Sequence, residues 1–145
     1  MELIPITNRP EQLKDFEDNP EAKAIFNFTQ SYYQEIGYTP PWHGYFAKVK
    51  GKWVGTAAFK GQPKENQIEI AYGTFERHRK KGVASEMCRK LLEIALRHAP
   101  ELRITARTLM EENASTKILR KNGFQFAGSV MDLEDGEVWE WVYSP

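Results

Sequence analysis

The hydrophobic pattern changes its period within residues 68–96, and this change marks the centre of the predicted fold. Ile68, Ile70 and Tyr72 alternate with polar or small residues, a period of two that predicts a strand. Further along, apolar residues recur at intervals of three and four positions, which predicts an amphipathic helix with one buried stripe. That stripe consists of Ala84, Met87, Cys88, Leu91, Leu92 and Ala95. We therefore expect a strand and a helix joined by a short turn.

Two helices are predicted before this central segment. Pro10 opens a short helix that ends at Phe16. Asn19 and Pro20 suit the N-cap and first position of a longer helix, which Gly37 ends. We expect the buried face of this longer helix to carry four residues at helical spacing, broadened by two more aromatic side chains: Ile25, Phe28, Tyr32 and Ile36, with Phe26 and Tyr33.

The other strands follow from alternation and from turn signals. They are expected at residues 1–6, 44–49, 52–59, 102–108, 126–132 and 138–143. Lys-Gly at 50–51 and Asp-Gly at 135–136 mark hairpins, and Asn113 is a good N-cap for a short helix. The strand at 102–108 should run parallel to the central strand because a crossover helix joins them. The predicted class is α/β, with a mixed sheet and helices on both faces.

Composition limits the number of domains and the kinds of partner. The 145 residues suit a single domain, residues 1–145. Basic and acidic residues balance at 20 each, so we expect no nucleic-acid partner and no membrane binding. The single cysteine, Cys88, excludes an intrachain disulfide, and its place on the apolar stripe predicts a packed thiol. The polar N-terminus predicts neither a signal peptide nor a spanning segment, so a cytoplasmic protein is expected.

The turn between the central strand and helix is basic and reads RHRKKGVA over residues 77–84. The first amides of a helix lack intrahelical acceptors and carry partial positive charge, so they attract anions. Gly82 has no Cβ, which permits close approach to the backbone. The turn therefore predicts a phosphate or pyrophosphate site, with an ordinary solvated basic turn as the alternative. Neither of the two standard glycine-rich phosphate-loop patterns is present in the sequence.

Three segments resemble the GCN5-related N-acetyltransferase (GNAT) superfamily. RKKGVA at 79–84 resembles its [RQ]-x-x-G-x-[GA] acetyl-CoA signature, while IEIAYGTF at 68–75 and ENASTKILRKNGF at 112–124 resemble its ribosomal-protein alanine acetyltransferase branch. The resemblance implies a GNAT-like acyl-CoA N-acyltransferase fold, a mostly antiparallel sheet whose parallel pair is splayed to admit acetyl-CoA. It also implies cofactor contacts from Gly73, Thr74, Arg79, Lys80, Lys81, Gly82, Val83, Ala84 and Asn113. We expect no metal, because acetyl transfer requires none and the sequence has no clustered ligand set.

Two residues are the main candidates for catalysis. Glu69 is the one charged residue of an apolar run and faces away from its apolar neighbours, where it would take a proton from the acceptor amine. The alternative for this carboxylate is an ion pair with a neighbouring Lys or Arg. Many relatives carry a tyrosine acid where this chain has Leu119; Ser115, one turn earlier, is the candidate substitute, and Tyr72 is a weaker one. Ser115 alternatively belongs to the helix-capping pattern, and the thiolate alternatively leaves without full protonation.

Aromatic residues are candidates for the acceptor side. Trp42, in a stiff Pro-rich loop, either lines an amine pocket or covers the sheet edge, and His43 is expected at the surface as a hydrogen-bonding residue. Trp139 and Trp141 share one face of the last strand, which favours core packing over an aromatic wall for an acceptor or an oligomer.

The leading hypothesis is an acetyl-CoA-dependent N-acetyltransferase that acts by direct transfer in a ternary complex. Its acceptor would be a primary amine, either a protein N-terminus or a small molecule, and a homodimer is left open. The alternative is a non-catalytic acyl-CoA-binding sensor or regulatory module.

Overall fold

The structure is a computed structural model that describes residues 1–144, and within that range it contains one seven-stranded sheet. The strands are β1 (Glu2–Pro5), β2 (Gly44–Val49), β3 (Lys52–Phe59), β4 (Gln67–Thr74), β5 (Arg103–Thr108), β6 (Phe124–Asp132) and β7 (Gly136–Tyr143). The helices are α1 (Pro20–Ile36), α2 (Val83–His98) and α3 (Ala114–Lys121), with short 3₁₀ helices at Pro10–Phe16 and Glu76–His78. The spatial order of the strands is β1-β2-β3-β4-β5-β7-β6. The predicted mixed, mostly antiparallel sheet is confirmed.

The β4–β5 pair is parallel and splays apart at its carboxyl end. Its ladder runs from Gln67 opposite Arg103 to Ile70 opposite Ala106 and ends there. Beyond that point β4 remains paired with β3 as far as Thr74, and β5 remains paired with β7. The two central strands therefore diverge while each keeps its outer partner, as the family resemblance implied.

Helices cover both faces of the sheet because successive strand residues point to opposite sides. Phe46 of β2 belongs to the apolar cluster under α1, whereas its neighbours Tyr45 and Ala47 belong to the cluster under α2. The predicted stripe of α2 lies in this second cluster, with Met87, Cys88, Leu91, Leu92 and Ala95 all buried. The periodicity of α2 was thus a correct guide to its packing.

The predicted buried face of α1 is wrong. The side chains that α1 buries are Ala22, Phe26 and Tyr33, whereas Phe28 remains 68% exposed and Ile36 38% exposed. Phe26 and Tyr33, treated as additions to the stripe, lie in the core, and of the four predicted residues Ile25 is partly buried against it. The cause is that α1 has two apolar faces, and periodicity alone does not distinguish the one that meets the sheet from the one that faces an open cleft.

The predicted helix caps and the packing of the last strand are confirmed. Asn19 Oδ1 accepts a hydrogen bond from the Ala22 amide at 3.1 Å, and Gly37 ends α1 with φ 90°. Trp141 is fully buried, and its indole N–H donates to Thr108 Oγ1 at 2.9 Å. Across residues 1–144, no helix combines the length and the apolar character that crossing a bilayer requires.

Candidate functional site

The basic turn presents backbone amides and cations to solvent. Gly82, the N-cap of α2, adopts the left-handed conformation with φ 77°, and no side chain among the described residues caps the helix there. The first helical hydrogen bond runs from the Glu86 amide to the Gly82 carbonyl at 3.2 Å, which leaves the amides of Val83 and Ala84 without intrahelical acceptors. A Cβ on Gly82 would meet nothing within 4 Å. Three exposed cations, Arg79, Lys80 and Lys81, precede it.

This open geometry suits an anion. The N-terminus of a helix attracts negative charge through its amides and its dipole. Lys80 also has a positive φ of 64°, a conformation that non-glycine residues rarely adopt. Gly82 also has a positive φ, so two residues of the turn adopt this conformation with one residue between them.

The splay of the central strands leaves backbone donors facing the gap. The Lys60 amide donates to the Glu69 carbonyl, and the Phe75 amide donates to the Val54 carbonyl. The backbone hydrogen-bonding groups of Glu69 and Phe75 therefore point toward β3. Because strand residues alternate, the amides of Tyr72 and Thr74 face β5 instead. The β4–β5 ladder has already ended at Ile70, so no strand in residues 1–144 pairs with these two amides.

Gly73 lies between these two amides on the open surface of β4. It is exposed, and a Cβ placed there would meet nothing within 4 Å. Ala71, two residues earlier on the same face, is exposed as well. The sheet is thus uncovered at the point where the resemblance implied a thioester contact.

Across the gap, the end of β5 and the start of α3 line a cavity of about 270 Å³. Its lining includes Arg107, Thr108, Asn113 and Ser115. Asn113 and Thr116 form a reciprocal capping box, with both hydrogen bonds at 3.1 Å. Ser115 takes no part in that box and is exposed, so the capping alternative for its hydroxyl is not supported by the geometry.

The remaining candidate acid, Tyr72, and Leu119, which stands at the usual tyrosine position, both lie in or against the core. Leu119 is 1% exposed and packs among the apolar residues under α2. Tyr72 also packs against that cluster, and burial together with the neighbouring Cys88 raises the pKa of its hydroxyl. Burial raises the pKa of the Cys88 thiol to about 12, so this cysteine is a packed residue, as expected, and not a nucleophile.

Glu69 forms the ion pairs that the alternative interpretation anticipated. Its Oε2 lies 3.4 Å from Lys60 Nζ and its Oε1 lies 3.7 Å from Arg107 Nε. Burial alone would lower the pKa of Lys60, but the carboxylates of Glu69, Asp132 and Glu134 together outweigh that effect and the pKa is raised. Glu69 remains 20% exposed on the face that carries Ala71, so solvent still reaches the carboxylate.

Sequence reasoning missed Lys60 and Arg107. Arg107 also contacts Asp132 Oδ2 at 2.9 Å and Glu140 Oε2 at 3.5 Å. These partners belong to β6 and β7, and only the strand order places them beside β5. Nothing in the spacing along the chain indicates such a network. Among residues 1–144, no group of three or more His, Cys, Asp or Glu side chains is arranged to hold a metal ion.

On the α1 side, a cleft of about 300 Å³ opens between the helix and β3–β4. The α1 residues expected to be buried instead line this cleft: Ile25, Phe28, Tyr32 and Ile36. Burial raises the pKa of Tyr32 despite the opposing effect of Lys60. Glu134, from the β6–β7 turn, reaches the same cleft.

The expectation of a surface position for His43 is wrong. It is 4% exposed, lines the cleft, and its Nδ1 lies 2.8 Å from the Gly44 carbonyl. Burial lowers its pKa, so the neutral imidazole donates through Nδ1. Trp42 packs edge-on against Phe59 with a centroid distance of 5.0 Å and also borders the cleft. Its role in an amine pocket stays a prediction.

Comparison with known proteins identifies relatives in sequence and in fold. A relative in Bacillus subtilis (strain 168), named "Uncharacterized N-acetyltransferase YjdG", is 37% identical over 91 residues, covering 62% of this chain and 51% of that protein. The chain therefore spans about half the length of this curated relative.

Solved structures support the same fold. A chimera of the spermidine N-acetyltransferase SpeG from Vibrio cholerae and hSSAT aligns with a TM-score of 0.73 at 12% identity, covering 98% of this chain and 94% of that one. The ribosomal L7/L12 alpha-N-protein acetyltransferase RimL aligns with a TM-score of 0.69 at 16% identity, covering 97% and 96%.

The family model described as "Acetyltransferase (GNAT) domain" matches residues 3–125, from β1 to the start of β6. This range includes the splayed strands, the basic turn and the N-terminus of α3. The chain belongs to the GNAT acetyltransferase family.

Proposed function

We propose that the protein transfers the acetyl group of acetyl-CoA to a primary amine by direct attack in a ternary complex. The observation that carries this proposal is the gap between β4 and β5, which has the cationic N-terminus of α2 at one end and the exposed face of β4 beside it. Named relatives support the choice of donor: RimL and an aminoglycoside acetyltransferase have been solved in complex with coenzyme A.

The donor would be held mainly through its diphosphate. The amides of Val83 and Ala84, with the backbone at Gly82, are free to donate to phosphate oxygens. Arg79 and the two following lysines add charge at the same turn. Further along the gap, Asn113 uses Oδ1 for capping, and its Nδ2 is available to donate to the pantetheine arm.

The gap also offers donors for the charge that develops on the thioester oxygen. The Thr74 and Tyr72 amides face it and are fixed in place by the pairing of β4 with β3. Preorganised donors of this kind stabilise a developing oxyanion without reorganisation. Gly73, with open space where a Cβ would lie, permits the acyl group to approach.

One side chain is assigned to proton transfer and a second to the leaving group. Glu69 would accept the proton of the incoming ammonium, directly or through water, while Lys60 and Arg107 hold its carboxylate in position. Ser115, exposed in the cavity across the gap, would donate a hydrogen bond to the departing thiolate. The chain's one cysteine is buried with a raised pKa, which supports direct attack over transfer through a cysteine thioester.

The alternative is a module that binds acyl-CoA without turnover. The observation in its favour is that Leu119, fully packed, stands where many relatives carry a tyrosine acid. Both possibilities predict acetyl-CoA binding by calorimetry, and only the enzyme predicts release of the free thiol in the presence of amines.

The test is a panel of primary amines, including peptides with free N-termini, incubated with acetyl-CoA and followed by mass spectrometry and thiol release. We expect acetylated product. We also expect the initial-rate plots to intersect, and not to run parallel, whichever of the two substrates is varied. Parallel plots would exclude the ternary complex, and tight binding with no product from any amine would favour the sensor.

A further inference from the structure

The cleft beside α1 is walled mainly by apolar side chains. Ile25, Phe28, Tyr32 and Ile36 project from one face of α1, and the rings of Phe28 and Tyr32 stack with a centroid distance of 6.3 Å. Phe28 is 68% exposed. Large apolar side chains exposed together around a concavity mark a binding surface more often than a solvated one.

The inner end of this cleft reaches the position proposed for the thioester. Thr56 and Ala71 both line the cleft. Thr56 is the cross-strand partner of Gly73, so their Cα atoms are about 5 Å apart. Ala71 lies about 7 Å from Gly73 along β4. A group that fills the cleft would therefore place its nearest end beside the exposed backbone of Gly73.

Charge in the cleft is nearly balanced. Of the residues that line it, Lys60 and Glu134 are the charged ones, and Lys60 pairs with Glu69 at 3.4 Å. A ligand with several ammonium groups would need several unpaired carboxylates, because a buried cation without a partner is strongly unfavourable. Glu134, on the exposed β6–β7 turn, is the one carboxylate of the lining, and the aromatic and aliphatic wall supplies no second one.

From this arrangement we infer that the acceptor is a small primary monoamine with an aliphatic or aromatic substituent, and that polyamines are poor acceptors. This inference rests on the proposed acetyl transfer and names the substrate class of that same site. The apolar substituent packs against Ile25, Phe28 and Ile36, and the single amino group points to the inner end. The volume of about 300 Å³ lies at the small end of ligand pockets, which suits a substituent of one ring or a short chain.

The direct test compares n-hexylamine with 1,6-diaminohexane, which have the same chain length and differ mainly by a second ammonium group. We expect kcat/KM to be at least about tenfold higher for n-hexylamine, with 2-phenylethylamine also accepted. Equal values, or a preference for the diamine, would overturn the inference while leaving acetyl transfer intact.

A pair of variants tests whether the α1 wall sets this preference. Ile36→Glu places a carboxylate at the edge of the cleft, at a side chain that is 38% exposed. It should raise kcat/KM for 1,6-diaminohexane, and so lower the ratio of kcat/KM for n-hexylamine to that for the diamine by about fivefold or more. The matched control Met131→Glu changes an apolar residue that is 71% exposed on β6, and it should leave the ratio unchanged. An unchanged ratio in Ile36→Glu would overturn the assignment of the wall.

Binding measurements separate failure of this inference from failure of the proposed function. Saturation-transfer NMR with the full chain and coenzyme A detects amine binding without turnover. If neither amine is acetylated but n-hexylamine alone gives a saturation-transfer signal, the proposed catalysis fails while the inferred preference of the cleft for a monoamine is supported. If the diamine binds at least as well, the inference fails regardless of activity.

Discussion

The ammonium group of Lys60 lies 3.4 Å from Oε2 of Glu69. The carboxylate proposed as the general base is therefore also an ion-pair partner, and Arg107 approaches its other oxygen at 3.7 Å. The two roles are compatible, because a positioned carboxylate that remains partly exposed can still accept a proton through water. They are separable by experiment.

Glu69→Gln should lower kcat/KM about 100-fold at neutral pH, since general bases contribute about 10²–10⁴-fold. The loss should shrink at alkaline pH, where the amine is already deprotonated. Glu140→Gln is the control, because Glu140 also pairs with Arg107, at 3.5 Å, but belongs to β7. Steady-state rates from pH 6 to 10 give the comparison. Equal losses of kcat/KM in the two variants would show that the effect comes from the positioning of Arg107. An unchanged kcat/KM in Glu69→Gln would remove Glu69 from the mechanism.

Arg79→Glu should weaken acetyl-CoA binding about 10- to 100-fold, because a charge-assisted phosphate contact is lost and a repulsive charge replaces it. Arg97→Glu makes the same change at an exposed position in the last turn of α2 and should leave the affinity unaltered. Isothermal titration calorimetry measures both, with circular dichroism to verify folding. Wild-type affinity in Arg79→Glu would contradict the proposed diphosphate site.

Gly82→Ala tests the backbone at the same turn. Alanine in the left-handed region costs about 1–2 kcal/mol, and Gly51→Ala carries the same cost because Gly51 also has φ 77° and open space around it. Both variants should show the same reduction in thermal stability. Only Gly82→Ala should also lose acetyl-CoA affinity, by about tenfold, since its Cβ lies where an anion approaches the amides. Matching affinities in the two variants would show that no anion approaches this backbone.

Ser115→Ala should lower kcat about tenfold through loss of one hydrogen bond to the leaving thiolate. It should leave thermal stability unchanged, because Asn113 and Thr116 form the cap. Asn113→Ala is the contrasting variant, and loss of that cap should cost about 1 kcal/mol. Thermal melts and single-turnover rates distinguish the two effects. A destabilised Ser115→Ala with normal kcat would return this residue to a structural role.

Asp132 predicts an acid-dependent contribution to stability. Hydrogen bonds from the Glu134 amide at 2.9 Å and from Arg107 lower the pKa of its carboxyl to about 2. The pKa of this carboxyl is lower in the folded state than the value of about 3.9 in the unfolded state, so its ionised form stabilises the fold. This contribution is fully present above about pH 4 and is lost as the pH falls through about 2. Asp132→Asn should therefore lower the Tm by a few degrees at pH 7, with the difference from wild type vanishing near pH 2.

Thermal melts between pH 2 and 7 test this dependence. Glu137→Gln, at an exposed position on the adjacent strand, removes one charge from the same hairpin and is the control. A Tm difference for Asp132→Asn that stays constant down to pH 2 would contradict the assignment.

Local pattern predicted the elements well because their determinants are close in sequence. The alternation at Ile68 and Ile70 produced β4, the stripe from Met87 to Ala95 produced α2, and Asn19 and Asn113 cap the helices as expected. The basic turn was also recognisable, since Gly82 and its flanking cations are neighbours along the chain. The divergence of β4 from β5 was implied by family resemblance, and no local signal marks where the ladder ends at Ile70.

The charge network and the cleft beside α1 required the fold. Arg107 meets Glu69, Asp132 and Glu140 across neighbouring strands, and the strand order that joins them depends on long-range packing. His43 was placed at the surface by its residue type, yet packing of the loop buries it.

The sequence by itself determined the secondary structure, the basic turn and the family, since each depends on residues close together or on a linear motif. The tertiary structure decided which apolar face of α1 is core and which is open. The stripe of Ile25, Phe28, Tyr32 and Ile36 has the same helical period as a buried face. A period reports only that side chains share a side of a helix; whether a sheet or a ligand meets that side depends on where the rest of the chain packs.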